Sequence, residues 1–109
     1  MQIDDGIKKL HEGIKSLFTN LGFSETEKGG LLKSAEMEFN LVRAKDSSWM
    51  HKKPGTVIGG LASRAIGRFG YTVPQREIAQ YSGSTENSIR YFSRYVERIL
   101  SKYGEGDAS

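Results

Sequence analysis

The sequence predicts an all-α domain on three observations. Apolar residues recur at spacings of three and four along most of the chain, turn-forming breaks divide that pattern into five stretches, and no stretch is a strand candidate. A chain of 109 residues is the size of one ordinary domain and builds a single core. That domain is expected over residues 1–103, with Gly104-Glu105-Gly106-Asp107-Ala108-Ser109 having the composition of a frayed, disordered end.

Ile3, Ile7, Leu10, Ile14, Leu17, Phe18 and Leu21 share one face of a first helix. Gly22 ends it, because glycine takes the left-handed conformation of a helix C-terminus without a Cβ clash. Ser24-Glu25-Thr26-Glu27 reads as a capping box in which Ser24 and Glu27 satisfy each other's backbone amides. The second helix then runs to about Arg43, burying Leu31, Leu32, Ala35, Phe39 and Val42 and leaving Lys28, Lys33, Glu36 and Glu38 largely on the wet side.

Periodicity stops from Ala44 to Lys53, which reads as a polar loop. Pro54 suits the first turn of a third helix, where a missing amide is no loss, and Val57, Ile58, Leu61, Ala62, Ala65, Ile66 and Phe69 are its apolar residues. Gly59, Gly60 and Gly67 would each cost a free helix about 1 kcal/mol relative to alanine. Close approach of neighbouring backbones offsets that cost, so this is predicted to be the central helix, stopped by Gly70. Thr72-Val73-Pro74-Gln75 reads as a capped start to a short fourth helix with Ile78, Ala79 and Tyr81 as apolar positions. Ser82-Gly83 breaks it, and Ser84 or Thr85 caps a fifth helix running to about Lys102, with Ile89, Phe92, Val96, Ile99 and Tyr103 on its buried edge.

The formal net charge is +3, but it is unevenly placed: residues 1–40 hold five Lys/Arg against seven Asp/Glu, and residues 41–109 hold eleven against six. Any basic function belongs to the second part. The absence of cysteine excludes thiol catalysis, disulfides and thiolate zinc sites. No apolar run approaches the roughly 20 residues needed to span a bilayer, so no membrane partner is expected. His11 and His51 stand apart from each other and from any ligating group, so no metal is assigned. No phosphate-binding glycine loop and no nucleophile, base and acid set can be assembled, so the chain is expected not to be an enzyme and to use no cofactor or small-molecule substrate.

A short helix, a glycine-bearing turn and a longer helix with an arginine in its polar first turn form a helix-turn-helix pattern. Ile78 and Ala79 brace the first helix, and the second would lay its N-terminal residues in a major groove. Asn87, Ser88, Arg90 and Tyr91 are the residues left facing outward around Ile89, and are the candidate base readers. Gln75, Arg76, Thr85, Arg94 and Arg98 are candidates for phosphate contacts. Arg90, Arg94, Arg98 and Lys102 recur every four residues, a stripe that would leave the groove within a turn or two and that also fits a solvated helix face partnered by Glu86 and Glu97. In the polar loop, Trp49 either folds back over the core or, with Met50, Lys52 and Lys53, anchors a protein partner.

Lys53-Pro54 leading into Val57-Ile58-Gly59-Gly60-Leu61-Ala62-Ser63-Arg64-Ala65, then Gln75-Arg76-Glu77-Ile78-Ala79-Gln80-Tyr81-Ser82-Gly83, then Thr85-Glu86-Asn87-Ser88-Ile89-Arg90, resembles the cyclin-like repeats of transcription factor IIB and its archaeal counterparts. The resemblance spans about residues 8–100 by helix order, and its specific residues lie mainly between Lys53 and Arg94. It implies a five-helix cyclin-like bundle whose fourth and fifth helices form the helix-turn-helix. It implies promoter-like duplex DNA as partner, TATA-binding protein or another transcription protein as a second, and a cytoplasmic location, nucleoid-associated in an archaeon or nuclear in a eukaryote.

In that family a valine and an arginine of the last segment read DNA beside the TATA box; their positions here are Asn87 and Arg90. Arg90 is retained, whereas Asn87 replaces a contact to a thymine methyl with a hydrogen-bonding group. The chain also lacks the family's cysteine-bearing zinc ribbon and has room for one repeat rather than two. Its loop from Ala44 to Lys53 is longer than the family's usual link. The alternative is a cyclin-fold protein-interaction module without DNA binding, which the loop Trp49-Met50 and the small-residue face of the third helix favour.

Overall fold

The structure is a computed structural model that describes the backbone of residues 2–103 and the side chains of residues 6–103; the expected tail, 104–109, and the side chain of Ile3 lie outside the described residues. The described residues form five α-helices and no strand: α1 (Gln2–Asn20), α2 (Glu25–Lys45), α3 (Pro54–Arg68), α4 (Gln75–Ser82) and α5 (Glu86–Tyr103). None of these helices is long and apolar enough to cross a membrane.

Local chemistry sets most of the boundaries. Gly22 adopts φ 91° and Gly70 φ 79°, and the next amide in each case closes the helix end, Phe23 donating to the Phe18 carbonyl and Tyr71 to that of Ile66. Their rings then pack on one another 5.2 Å apart, so the turns after α1 and α3 clasp. The capping box at α2 is complete: Glu27 N–H donates to Ser24 Oγ at 3.2 Å and Ser24 N–H to Glu27 Oε1 at 2.8 Å.

The helix α3 touches all four others and is the centre of the bundle. A Cβ added at Gly60 would stand 2.5 Å from Phe92 Cδ2, and one at Gly59 would stand 2.8 Å from Ile89 Cδ1. Both glycines admit α5 against the α3 backbone, and this close packing offsets their poor helix propensity. At Gly67 a Cβ would meet nothing within 4 Å, so packing does not account for that glycine. The core is a single cluster, from Ile14, Leu17 and Phe18 on α1 through Leu31 and Val42 on α2 and Leu61 on α3 to Ile78, Ile89, Phe92 and Val96.

Several expectations are corrected. Glu38 and Lys28 are buried, at 2% and 6% exposure, rather than wet. Glu38 faces α3, where Arg64 binds it through two parallel hydrogen bonds of 2.8 and 3.1 Å and Arg68 adds a third. The Lys28 ammonium donates to Thr19 Oγ1 at 2.9 Å and pairs with Glu25 at 2.7 Å. The segment after α2 is not loop throughout: α2 continues to Lys45, and Ser48–His51 form a turn of 3-10 helix. The helix α4 carries no capping box at Thr72; Pro74 occupies the cap position and has no side-chain group to cap with, and the Gln75 amide donates to Ser63 Oγ on α3 at 2.8 Å. Tyr81 and Tyr103 are exposed rather than apolar core positions, and Leu100 is the buried residue near the end of α5.

Candidate nucleic-acid interface

The turn between α4 and α5 is short and tightly held. Gly83 adopts φ 74° and donates to the Ala79 carbonyl, as does Ser84 N–H at 3.0 Å. Of the two candidate caps for α5, Thr85 takes the role: Ser88 N–H donates to Thr85 Oγ1 at 3.1 Å, and the Thr85 hydroxyl donates to Ser88 Oγ at 3.0 Å. Ser84 is used differently, its hydroxyl pairing at 2.8 Å with that of Thr56 in the first turn of α3.

Beyond this cap, Asn87, Arg90, Tyr91 and Arg94 surround one shallow concavity of about 180 Å³. All four are exposed, Tyr91 at 70%. Arg90 Nη1 donates to Asn87 Oδ1 at 3.0 Å. The Asn87 NH₂ and the remaining guanidinium N–H groups are left as donors, and Asn87 Oδ1 keeps a second lone pair as an acceptor. Ser88, the fourth candidate base reader, is half-buried and tied into the cap.

Lys52 and Lys53 join this face. They line a second cavity, of about 400 Å³, with Thr56, Ser84, Ser88 and Tyr91. Tyr91 is common to both concavities, so the two lysines continue the α5 surface. Neighbourhood in sequence grouped them with Trp49 and Met50; folding turns them toward α5. Trp49 packs edge-on against Phe39 with ring centroids 4.9 Å apart and is half-buried against the core, which favours its covering role, while Met50 is 56% exposed.

Among the candidate phosphate contacts, Arg76 is exposed in the first turn of α4, and Arg94 and Arg98 are exposed along α5. Gln75 and Thr85 are committed to internal bonds, Gln75 to Ser63 and Thr85 to the cap. Glu97, expected to partner the arginine stripe, binds Arg64 Nη1 at 2.9 Å.

The orientation of α5 is fixed from behind by a set of contacts that sequence reading left out. Arg64 on α3 holds Glu38 of α2 on one side, and on the other donates to the Ser93 carbonyl at 3.3 Å and binds Glu97, both on α5. Burial pulls the Arg64 pKa down, and its bonds to Glu38 and Glu97 outweigh that, so it stays protonated. Asp46 accepts a short hydrogen bond from Tyr95, tying the segment after α2 to the middle of α5. That bond, with the Ser48 amide, holds the Asp46 carboxyl below the usual aspartate range, and burial followed by the Asp46 bond pushes the Tyr95 hydroxyl up. No sequence motif announces these contacts, since the partners lie 26 to 49 residues apart.

No family model, curated protein or solved structure matches the chain.

Proposed function

We propose that this protein binds duplex DNA with α4 and α5 as a helix-turn-helix, as a single cyclin-like repeat of the transcription factor IIB kind acting in or on transcription initiation. In this reading the first two turns of α5 enter the major groove. Arg90 and Asn87 meet base edges, and Arg76, Arg94, Arg98, Lys52 and Lys53 meet phosphates on either side. A TATA-binding protein or another transcription protein would then share the site.

The observation that carries the proposal is the single exposed face formed by Asn87, Arg90, Tyr91 and Arg94 with Lys52 and Lys53 beside it. It joins side chains of α5, a helix braced from behind, with two lysines from the segment before α3. The chemistry also points to a base. Because Asn87 Oδ1 already accepts from Arg90, the pair offers more donors than acceptors, and the free guanidinium N–H groups of Arg90 match the O6 and N7 acceptors of guanine.

Selection of bound duplexes from a random pool tests the reading. Enriched duplexes should share a short motif containing guanine, and Arg90→Ala should lose the motif as well as affinity. Binding should weaken with salt, with a log–log slope of about 0.9 per phosphate contact. A folded sample that enriches no duplex, or binds with no salt dependence, sinks the proposal.

A further inference from the structure

The cavity between the start of α3 and the turn into α5 has two walls built tightly against each other. A Cβ at Gly55 would collide with the Ser82 carbonyl oxygen, so only glycine lets α3 begin this close to the end of α4. The Thr56 and Ser84 hydroxyls join the walls at 2.8 Å. Of the three buried polar residues, Lys28 and Glu38 are spent in ion pairs, whereas Thr56, 7% exposed, opens on this cavity. Its volume of about 400 Å³ is that of a small-ligand pocket.

The lining is cationic and rich in donors. Lys52 and Lys53 are exposed and line the cavity, and among the described residues neither has a carboxylate partner and no carboxylate lines the space. Their backbone is held in place: the Lys52 amide donates to the Trp49 carbonyl at 3.1 Å, and the Lys53 carbonyl accepts from the Thr56 and Val57 amides at 3.0 and 3.2 Å. Two hydroxyl protons are left to give. Ser88 Oγ accepts from Thr85 and keeps its own proton, and the Thr56–Ser84 pair uses one proton of two.

Charge identifies the ligand. A phosphate monoester carries a charge of about −1.5 to −2 at neutral pH and three acceptor oxygens, which match two lysines and the hydroxyl donors. A phosphodiester carries a single charge and leaves one lysine unmatched. The space beyond the phosphate, along the Tyr91 side chain, takes the organic part.

We infer that this cavity binds a small phosphate monoester, its phosphate held by Lys52, Lys53 and Ser88 and its organic part lying against Tyr91. The inference stands apart from the DNA reading, because the ligand needs no duplex. Where both hold, ligand and duplex exclude one another, since Lys52, Lys53 and Tyr91 serve both.

The test is titration of the full, isotope-labelled chain with phenyl phosphate at constant ionic strength, followed by amide NMR shifts. Dimethyl phosphate, a diester, and a short strand bearing a 5′-terminal phosphate are the comparison titrants. The Gly83, Ser84, Thr85 and Ser88 amides should follow one saturating curve with phenyl phosphate and move far less with the diester. The Lys52→Gln, Lys53→Gln double variant should melt like the parent, both side chains being exposed, and weaken binding by about tenfold or more. The same loss of charge at Lys15 and Lys33, exposed on α1 and α2, should leave it unchanged. The inference is overturned if the shifts do not saturate, if the two double variants behave alike, or if the diester binds as well as the monoester. It is overturned equally if only the phosphorylated strand end produces the shifts.

Discussion

Glu38 shows most directly how one side chain organises its surroundings. Its carboxylate lies almost wholly out of water and accepts from two guanidinium groups, Arg64 and Arg68. Removing one member of such a group strands the others, which costs about 3 kcal/mol or more, whereas replacing the whole set by apolar residues can be neutral. Glu38→Ala is therefore expected to lower the unfolding free energy by about 3 kcal/mol in denaturant titrations. A loss below about 0.5 kcal/mol would show that water substitutes for the carboxylate.

The Asp46–Tyr95 bond gives a pH signature of definite sign. Asp46 has a folded pKa below its unfolded value, so its contribution is fully present above the ordinary aspartate pKa, about 3.9, and is lost as pH falls through the folded value. Tyr95 is raised, so its contribution holds below the ordinary tyrosine pKa, about 10, and is lost as pH rises through the folded value. Tyr95→Phe should flatten the acid limb of the stability profile below about pH 4. An unchanged acid limb would show the bond to be energetically silent.

At the scale of helices, the glycines of α2 and α3 separate two effects that sequence alone merges. Gly29 sits exposed in the second turn of α2, and a Cβ there would meet nothing within 4 Å. Gly29→Ala should raise stability by about 0.5–1 kcal/mol through helix propensity. Gly60→Ala should lower it by about 1–3 kcal/mol, because Phe92 must move away from α3. Thermal melts of the two variants should shift in opposite directions.

The helices themselves were legible because their signals are local. The period of apolar residues, the Ser24–Glu27 box and the glycine stops each act within one or two turns, and the starts of α2 and α3 follow from that box and from Pro54. Which face of a helix is covered is a tertiary matter. Glu38 reads as a wet residue until α3 brings Arg64 to it from 26 positions away. Pro74 and Gln75 form a cap-like string, but the Gln75 amide is drawn to Ser63 on α3. Tyr81 and Tyr103 fit the helical period and yet lie exposed, at 49% and 41%.

For the whole molecule, the candidate DNA face is only half readable in one dimension. Asn87, Arg90, Tyr91 and Arg94 follow from the helix period, since residues three and four apart share a surface. Lys52 and Lys53 do not, because they arrive from before α3. If both lysines contact phosphate, the Lys52→Ala, Lys53→Ala double variant should reduce the log–log salt slope of duplex binding by about 1.8 while leaving the selected motif intact. Arg90→Ala should do the reverse, losing sequence preference with a smaller change in slope. Equal effects from the two variants would argue against the division between reading and anchoring residues.

The Thr56–Ser84 hydroxyl pair carries one more consequence. It pins the turn before α5 to the first turn of α3, beneath the surface that α5 presents. The proposed interface thus exists before its ligand arrives, and association requires no segment of the described chain to fold. Calorimetry should register this as a modest negative heat-capacity change, scaled to the area of contact alone, in place of the large one that accompanies coupled folding.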